Sequence, residues 1–148
     1  MIADSHDPHD QQWAAELMLS MDPWLTLGRT RKSALQAIQE SNLALSGRRG
    51  FILWTTCGLL NGYIRTIAVA PAYQGQGLGQ QLIGHAERAI LQNSPNVFLC
   101  VSSFNVRAQR LYQRLGYQQI GTLANLIIPG HDEFLLRKAG PSWQEFQP

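Results

Sequence analysis

Hydrophobic positions along this chain fall into two rhythms, one with a period near 3.6 and one near 2, and their alternation predicts a mixed α/β fold. Near the N-terminus Asp7 stands as a cap with Pro8 at the first helical position. Trp13, Leu17 and Met21 then recur at helical spacing until Asp22-Pro23 ends the pattern. A second helix is expected from Thr30 to Gln39, followed by strands at 42–46, 50–57 and 62–70 with Gly47-Arg48-Arg49 and 58–61 as turns. The helical rhythm then returns twice. Leu78, Leu82, Ala86, Ala89 and Ile90 form one stripe, closed before Ser94-Pro95. Ala108, Leu111, Tyr112 and Leu115 form another, opened by Asn105 as N-cap and stopped by Gly116. Residues 97–102 between them read as a buried strand, and closing strands are expected near 117–127 and 132–138.

The β-branched run from Ile64 to Val69 leads through Ala70-Pro71-Ala72-Tyr73 into Gln74-Gly75-Gln76-Gly77-Leu78-Gly79 and the helix behind it. A strand that delivers a glycine-rich turn to a helix N-terminus makes an anion cradle, because bare backbone N–H groups and the positive end of the helix dipole converge there. The expected ligand carries phosphates. A dinucleotide fingerprint needs G-x-G-x-x-G and an acid about 20 residues on. Here Gln80 takes the third glycine's place, and no Asp or Glu lies between Glu87 and Asp132. A P-loop needs a lysine after its last glycine, and no Lys lies between Lys32 and Lys138. What remains is Gln-x-x-Gly-x-Gly.

That turn resembles the pyrophosphate-binding signature of the GNAT N-acetyltransferase superfamily, in which it holds coenzyme A. The segment from Asn105 to Tyr117 resembles that superfamily's second signature, Asn-x-x-Ala-x-x-Leu-Tyr followed by Gly and an aromatic residue. The resemblance covers nearly the whole chain, extends distantly to the ribosomal-protein N-terminal acetyltransferases, and implies a single domain over 1–148. Its sheet would be mixed and mostly antiparallel, flanked by helices, with a rudimentary first strand within Met1 to Ser5 and a tail at 140–148. It also implies acetyl-CoA as cofactor, held by Ile67, Ala68 and Val69, by Gln74, Gly75, Gln76, Gly77, Leu78 and Gly79, and by Asn105 and Ala108. An Asn before a helix is ordinarily only a cap, and a Tyr on an apolar stripe only core. Acyl transfer from a thioester, however, expels a thiolate whose conjugate acid has a pKa near about 8.5, and a tyrosine hydroxyl near about 10 can meet it. The resemblance assigns the role of general acid to Tyr112 and the pantetheine arm to Asn105.

Composition agrees with such a ligand. With 148 residues, 45% of them hydrophobic, the chain can bury a core without metal or disulfide. The net charge of +2 conceals an uneven spread: residues 41–131 hold seven Arg against one Glu, whereas residues 1–40 hold six acids against three bases. A basic half suits the phosphates of coenzyme A. Nucleic acid would suit it too, but no nucleic-acid signature accompanies it. Cys57 and Cys100 each lie in a hydrophobic segment, and buried, reduced thiols are expected of a cytoplasmic protein. The N-terminus shows no signal-peptide pattern, and no apolar run approaches a membrane span. His6, Asp7, His9 and Asp10 read as a polar terminus rather than a metal site. A monomer or homodimer is expected.

The acceptor side is less defined. Asp22 to Arg29 separates the first two helices, where the superfamily covers the acceptor end of its cleft, so Trp24 is a candidate for substrate contact or for core. Pro129-Gly130-His131-Asp132-Glu133 resembles the Gly-His-Glu-Asp run of the ribosomal-protein acetyltransferases, but Cys100 stands where those enzymes carry a glutamate base. A lysine-like amine, pKa about 10.4, is almost wholly protonated at neutral pH, whereas an α-amine near about 7.7 is partly free. Water, His131 or Glu133 remain as proton acceptors. Two functions follow: an acetyl-CoA-dependent N-acetyltransferase acting on a primary amine by direct attack in a ternary complex, or a catalytically silent acyl-CoA-binding module.

Overall fold

The computed structural model describes residues 1–148 and contains seven strands and four α-helices. In chain order these are β1 (Ala3–Asp4), α1 (Pro8–Leu19), α2 (Arg31–Gln39), β2 (Asn42–Leu45), β3 (Gly50–Thr55) and β4 (Tyr63–Val69), then α3 (Leu78–Ile90), β5 (Asn96–Ser102), α4 (Val106–Arg114), β6 (Gln118–Leu123) and β7 (Glu133–Ala139). The sheet order is β1-β2-β3-β4-β5-β7-β6. Every neighbouring pair is antiparallel except β4 and β5. A parallel pair needs a crossover, and α3 provides it.

Local chemistry explains the helices. Asp7 accepts the His9 amide at 2.7 Å ahead of Pro8, and Thr30 and Ser33 form a reciprocal capping box that starts α2. Asn105 accepts the Ala108 amide at 3.2 Å to start α4. Gly116 follows α4 with φ +92°, the left-handed turn that stops a helix. The apolar stripes then choose faces. One core joins α3 and α4 to the sheet through Leu82, Ile83, Ala86, Ile90, Val97, Leu99 and Tyr112. The other joins α1 and α2 to it through Ala14, Met18, Ala34, Ile38, Phe51 and Leu53.

Two features shape the centre of the sheet. Leu53 pairs with Thr66 but Trp54 pairs with Ile64, so Arg65 is an extra residue, a β-bulge that bends β4. Parallel pairing of β4 with β5 is confined to Tyr63 with Phe98 and Ile64 with Leu99. Gly62 makes that contact possible: a Cβ there would stand 2.5 Å from the Asn96 carbonyl oxygen, and the glycine's own oxygen accepts the Phe98 amide at 2.8 Å. Beyond the bulge the two strands part, and a cleft opens between them.

The predicted elements are present, with ends shifted by a few residues. The first helix closes at Leu19, where Ser20 caps it, rather than at Asp22, and the expected strands at 50–57 and 117–127 end at Thr55 and Leu123. The first strand is two residues long, paired to Ala44 and Leu45 and tied to α3 by His85 with Asp4 at 2.7 Å. One expectation is corrected. Cys57 is exposed, because β3 stops at Thr55 and the apolar letters after it belong to an open loop in which Leu59 is fully exposed. Cys100 is half-buried.

Candidate active site

The cleft between the parted strands has a volume of about 460 Å³. Its walls are the free edges of β4 (Thr66 to Val69) and β5 (Cys100 to Ser102), its roof the first two turns of α4, and one end the glycine turn. Beyond Ile64 the edge of β4 facing β5 has no strand partner, so backbone groups of Ile67, Ala68 and Val69 are presented to the cleft. Side chains of Ile67 and Val69 pack toward α3, and Ala68 packs toward α1 and α2.

At the glycine end the chain folds tightly and leaves donors free. Gly75 (φ +76°) and Gly77 (φ +80°) take left-handed conformations that side-chain-bearing residues rarely adopt. Gly77 is the N-cap of α3 and supplies no side-chain acceptor, so the first-turn amides of α3 have no capping partner. A Cβ on Gly77 would meet nothing within 4 Å; the space in front of the turn is open. Gln74 anchors the turn by donating to the Val69 carbonyl at 3.1 Å and accepting Arg107 Nη1 at 2.7 Å. Arg107, in the first turn of α4, thus bridges the cleft mouth to the turn, and Arg114 borders the cleft from the same helix.

Tyr112 lies deeper. Its side chain is 5% exposed and stacks edge-on with Tyr117. Tyr112 is one of the residues that line the cleft, and its hydroxyl makes no hydrogen bond within the protein. Burial drives its pKa upward, which keeps it a neutral donor.

On the acceptor side Trp24 belongs to the α1/α2 core and also borders the cleft beside Met21, Asp22 and Pro23. Glu133 is 5% exposed and accepts the Ser102 hydroxyl at 2.6 Å. Burial pushes its carboxyl up from the ordinary glutamate value. Burial also pushes the Cys100 thiol up, with Glu133 adding to the effect and the Tyr63 hydroxyl opposing it. The Cys100 thiol is therefore held as a neutral group. His131 packs edge-on against Phe104, with ring centroids 4.8 Å apart, and does not line the cleft.

Of the residues singled out in the sequence, Ile67, Ala68, Val69, Gln74, Gly75, Gly77, Leu78, Gly79, Asn105, Ala108, Tyr112 and Trp24 all border this one cleft. Gln76 does not; its side chain turns back to the Ala72 carbonyl. Sequence reasoning missed the bulge at Arg65 and the wall residue Ser102. The local signal for Ser102 was its place at the end of a buried strand, three residues ahead of Asn105.

A parted parallel strand pair, a glycine turn with uncapped amides and a buried tyrosine thus meet in one cleft of this α/β domain. The chain matches the acetyltransferase (GNAT) family over residues 5–117 and belongs to that family. The N-alpha-acetyltransferase RimI of Mycobacterium tuberculosis is 28% identical over 133 residues, covering 84% of this chain and 80% of that protein. An uncharacterized Mycobacterium leprae protein is 36% identical over 76 residues, of which this chain spans only 21% of the length. Among solved structures, the ribosomal-protein-S18-alanine N-acetyltransferase of Escherichia coli superposes with a TM-score of 0.75 at 19% identity, covering 100% of this chain and 99% of that one. YncA of Salmonella typhimurium, solved with its cofactor acetyl-CoA, superposes with a TM-score of 0.71 at 17% identity, covering 94% and 92%. The two structural likenesses bear on the fold.

Proposed function

We propose that the protein transfers an acetyl group from acetyl-CoA to a primary amine, of a small molecule or a peptide N-terminus, by direct attack in a ternary complex. One observation carries this reading: a buried tyrosine whose hydroxyl has no protein partner lines a cleft that also holds an uncapped, amide-rich turn. The turn at 74–79 suits a pyrophosphate, since its donors are backbone N–H groups and no side chain fills the space before Gly77. The free edge of β4 suits an amide-containing arm laid alongside it as an extra strand would be. When bound, acetyl-CoA supplies the activated carbonyl and a thiolate leaving group.

The residues of this chain then have separable tasks. Backbone N–H groups of β4 near the bulge polarise the carbonyl oxygen. Tyr112 donates a hydrogen bond to the sulfur as charge develops on it. With the tyrosine pKa raised, complete proton loss to a thiolate near about 8.5 runs uphill, so stabilisation through the hydrogen bond is its contribution. Asn105 holds the top of the cleft by fixing the start of α4, its Oδ1 being committed to the Ala108 amide.

Catalysis is favoured over silent binding by Tyr112 and by the buried carboxylate of Glu133 against the β5 wall, neither of which a pure binder needs. All of these residues come from one chain, so a monomer or a homodimer would carry complete sites. Two free cysteines accord with a reducing, cytoplasmic setting. An acetyl-CoA-dependent screen of amines and peptides, read by thiol release, tests the proposal. Thiol release that depends on an amine, with acetyl found on that amine, is expected; acetyl-CoA binding without transfer to any member would favour the silent module.

A further inference from the structure

We propose that Ser102 and Glu133 form a proton relay that deprotonates the acceptor amine, taking over from the carboxylate whose place on β5 is held by Cys100. The relay rests on the acetyl-transfer reading above. Residues on β5 alternate: Val97, Leu99 and Val101 enter the core under α3 and α4, so Cys100 and Ser102 leave by the opposite face. The antiparallel register sets Ser102 directly across from Glu133 on β7, which puts both side chains on that same face. Ser102 also belongs to the cleft wall at the free edge of β5. Ser102 therefore stands between the cleft and a carboxylate that does not itself line it.

The 2.6 Å hydrogen bond from Ser102 Oγ to Glu133 Oε1 has the short length of a hydroxyl meeting a charged acceptor. Glu133 is 5% exposed and has no cationic partner. Burying a carboxylate on one hydrogen bond and no counter-ion disfavours its charged form, so a purely structural role explains it poorly. The groups facing it are neutral or distant. Tyr63 of β4 and Cys100 of β5 both sense its charge, Leu123 of β6 lies across from it, and the neighbouring Asp132 carboxylate is turned to the Asn125 amide. Arg65 is bound to Glu40 at 3.0 Å. Burial moves the carboxyl upward from its ordinary value, which makes it a stronger proton acceptor than a solvated carboxylate.

The proton inventory balances. A primary ammonium becoming an amide loses two protons. The first passes to Ser102 Oγ while the serine's own proton passes to Glu133 Oε1; the N–H bond breaks and nitrogen keeps the electron pair with which it attacks. The second passes from the nitrogen, once it is bonded to the acetyl carbon, to the departing sulfur as the carbon–sulfur bond breaks, and leaves as the thiol's proton. Glu133, now neutral, returns its proton to solvent before the next turnover.

Glu133→Gln, Ser102→Ala and Ser102→Thr test the relay with an alkyl amine or peptide that the wild type acetylates, and with hydroxylamine, a nucleophile already neutral at pH 7. Glu133→Gln and Ser102→Ala are expected to lower kcat/KM for the alkyl amine by about 10²-fold or more while acetyl-CoA affinity holds. The acid limb of the pH–rate profile should vanish in Glu133→Gln, and the loss with hydroxylamine should stay under about tenfold, because no proton need be removed before attack. Ser102→Thr, which keeps the hydroxyl, should recover most of the rate. An unchanged rate and pH profile in Glu133→Gln, or equal losses with both nucleophiles, would overturn the relay while leaving acetyl transfer standing. A wild type that binds acetyl-CoA but acetylates nothing would defeat both.

Discussion

The ring of Tyr117 packs edge-on against Tyr112, with centroids 5.8 Å apart and planes inclined at 65°, and its own hydroxyl donates to Glu87 at 2.8 Å. Lys138 closes on the same carboxylate at 3.1 Å. Tyr112 is thereby held by an aromatic neighbour that is itself fastened to α3 and β7. Its hydroxyl has no partner within the protein. Tyr112→Phe should keep the stack and the fold, keep acetyl-CoA affinity, and lower kcat and kcat/KM together by roughly 10² to 10⁴. Steady-state kinetics beside a binding titration checks this; wild-type turnover would make Tyr112 a core residue only.

Gly77→Val attacks the cradle through the backbone. The position has φ +80° and open space around a prospective Cβ, so the penalty is conformational strain of about 1–3 kcal/mol rather than a clash within the protein. The valine would also project into the space assigned to the pyrophosphate. Acetyl-CoA affinity should fall by at least about tenfold, with a modest loss of thermal stability. Calorimetry and a melting curve separate the two effects.

Arg107 and Gln74 join α4 to the glycine turn at 2.7 Å on an exposed surface. An exposed contact of this kind adds at most about 1 kcal/mol to stability, so Arg107→Ala should melt within about four degrees of the wild type. Acetyl-CoA binding should weaken several-fold and lose part of its salt dependence, because a cation next to the phosphate cradle is removed. Titrations at low and high ionic strength read this directly.

Glu133 also makes a stability prediction whose sign is fixed. Its carboxyl binds a proton more tightly in the folded state than its ordinary value of 4.5. The stability it contributes is therefore fully present below that value and is lost as pH rises through the folded-state value. Glu133→Gln removes this dependence, so its melting temperature relative to wild type should climb between acidic and neutral pH. A difference that stays flat or falls would show that the carboxylate is not held above its normal range.

Caps, the glycine turn and the Asn105 helix were legible because each is decided by a few neighbouring residues. Asp7 before Pro8, Asn105 before Val106, and Gly116 after Leu115 carry their reasons locally. The parting of β4 from β5 is not local. It depends on one extra residue, Arg65, which the β-branched run from Ile64 to Val69 conceals, and on the close approach that only Gly62 allows. The pairing of Ser102 with Glu133 spans 31 residues and rests on strand register, which no sequence period reveals. Glu133 was visible as a candidate, but not its partner. Cys57 misled in the other direction, since apolar letters after Thr55 look like continued strand while the chain leaves the sheet.

Titration calorimetry of acetyl-CoA into the wild type, paired with melting curves, bears most directly on the cleft as an acyl-CoA site. One molecule should bind per chain, and about 2.7 kcal/mol of stabilisation is expected at a hundredfold excess over the dissociation constant, much reduced at the same concentration in Gly77→Val. A folded wild type that gives no binding heat and an unshifted melting temperature would contradict it.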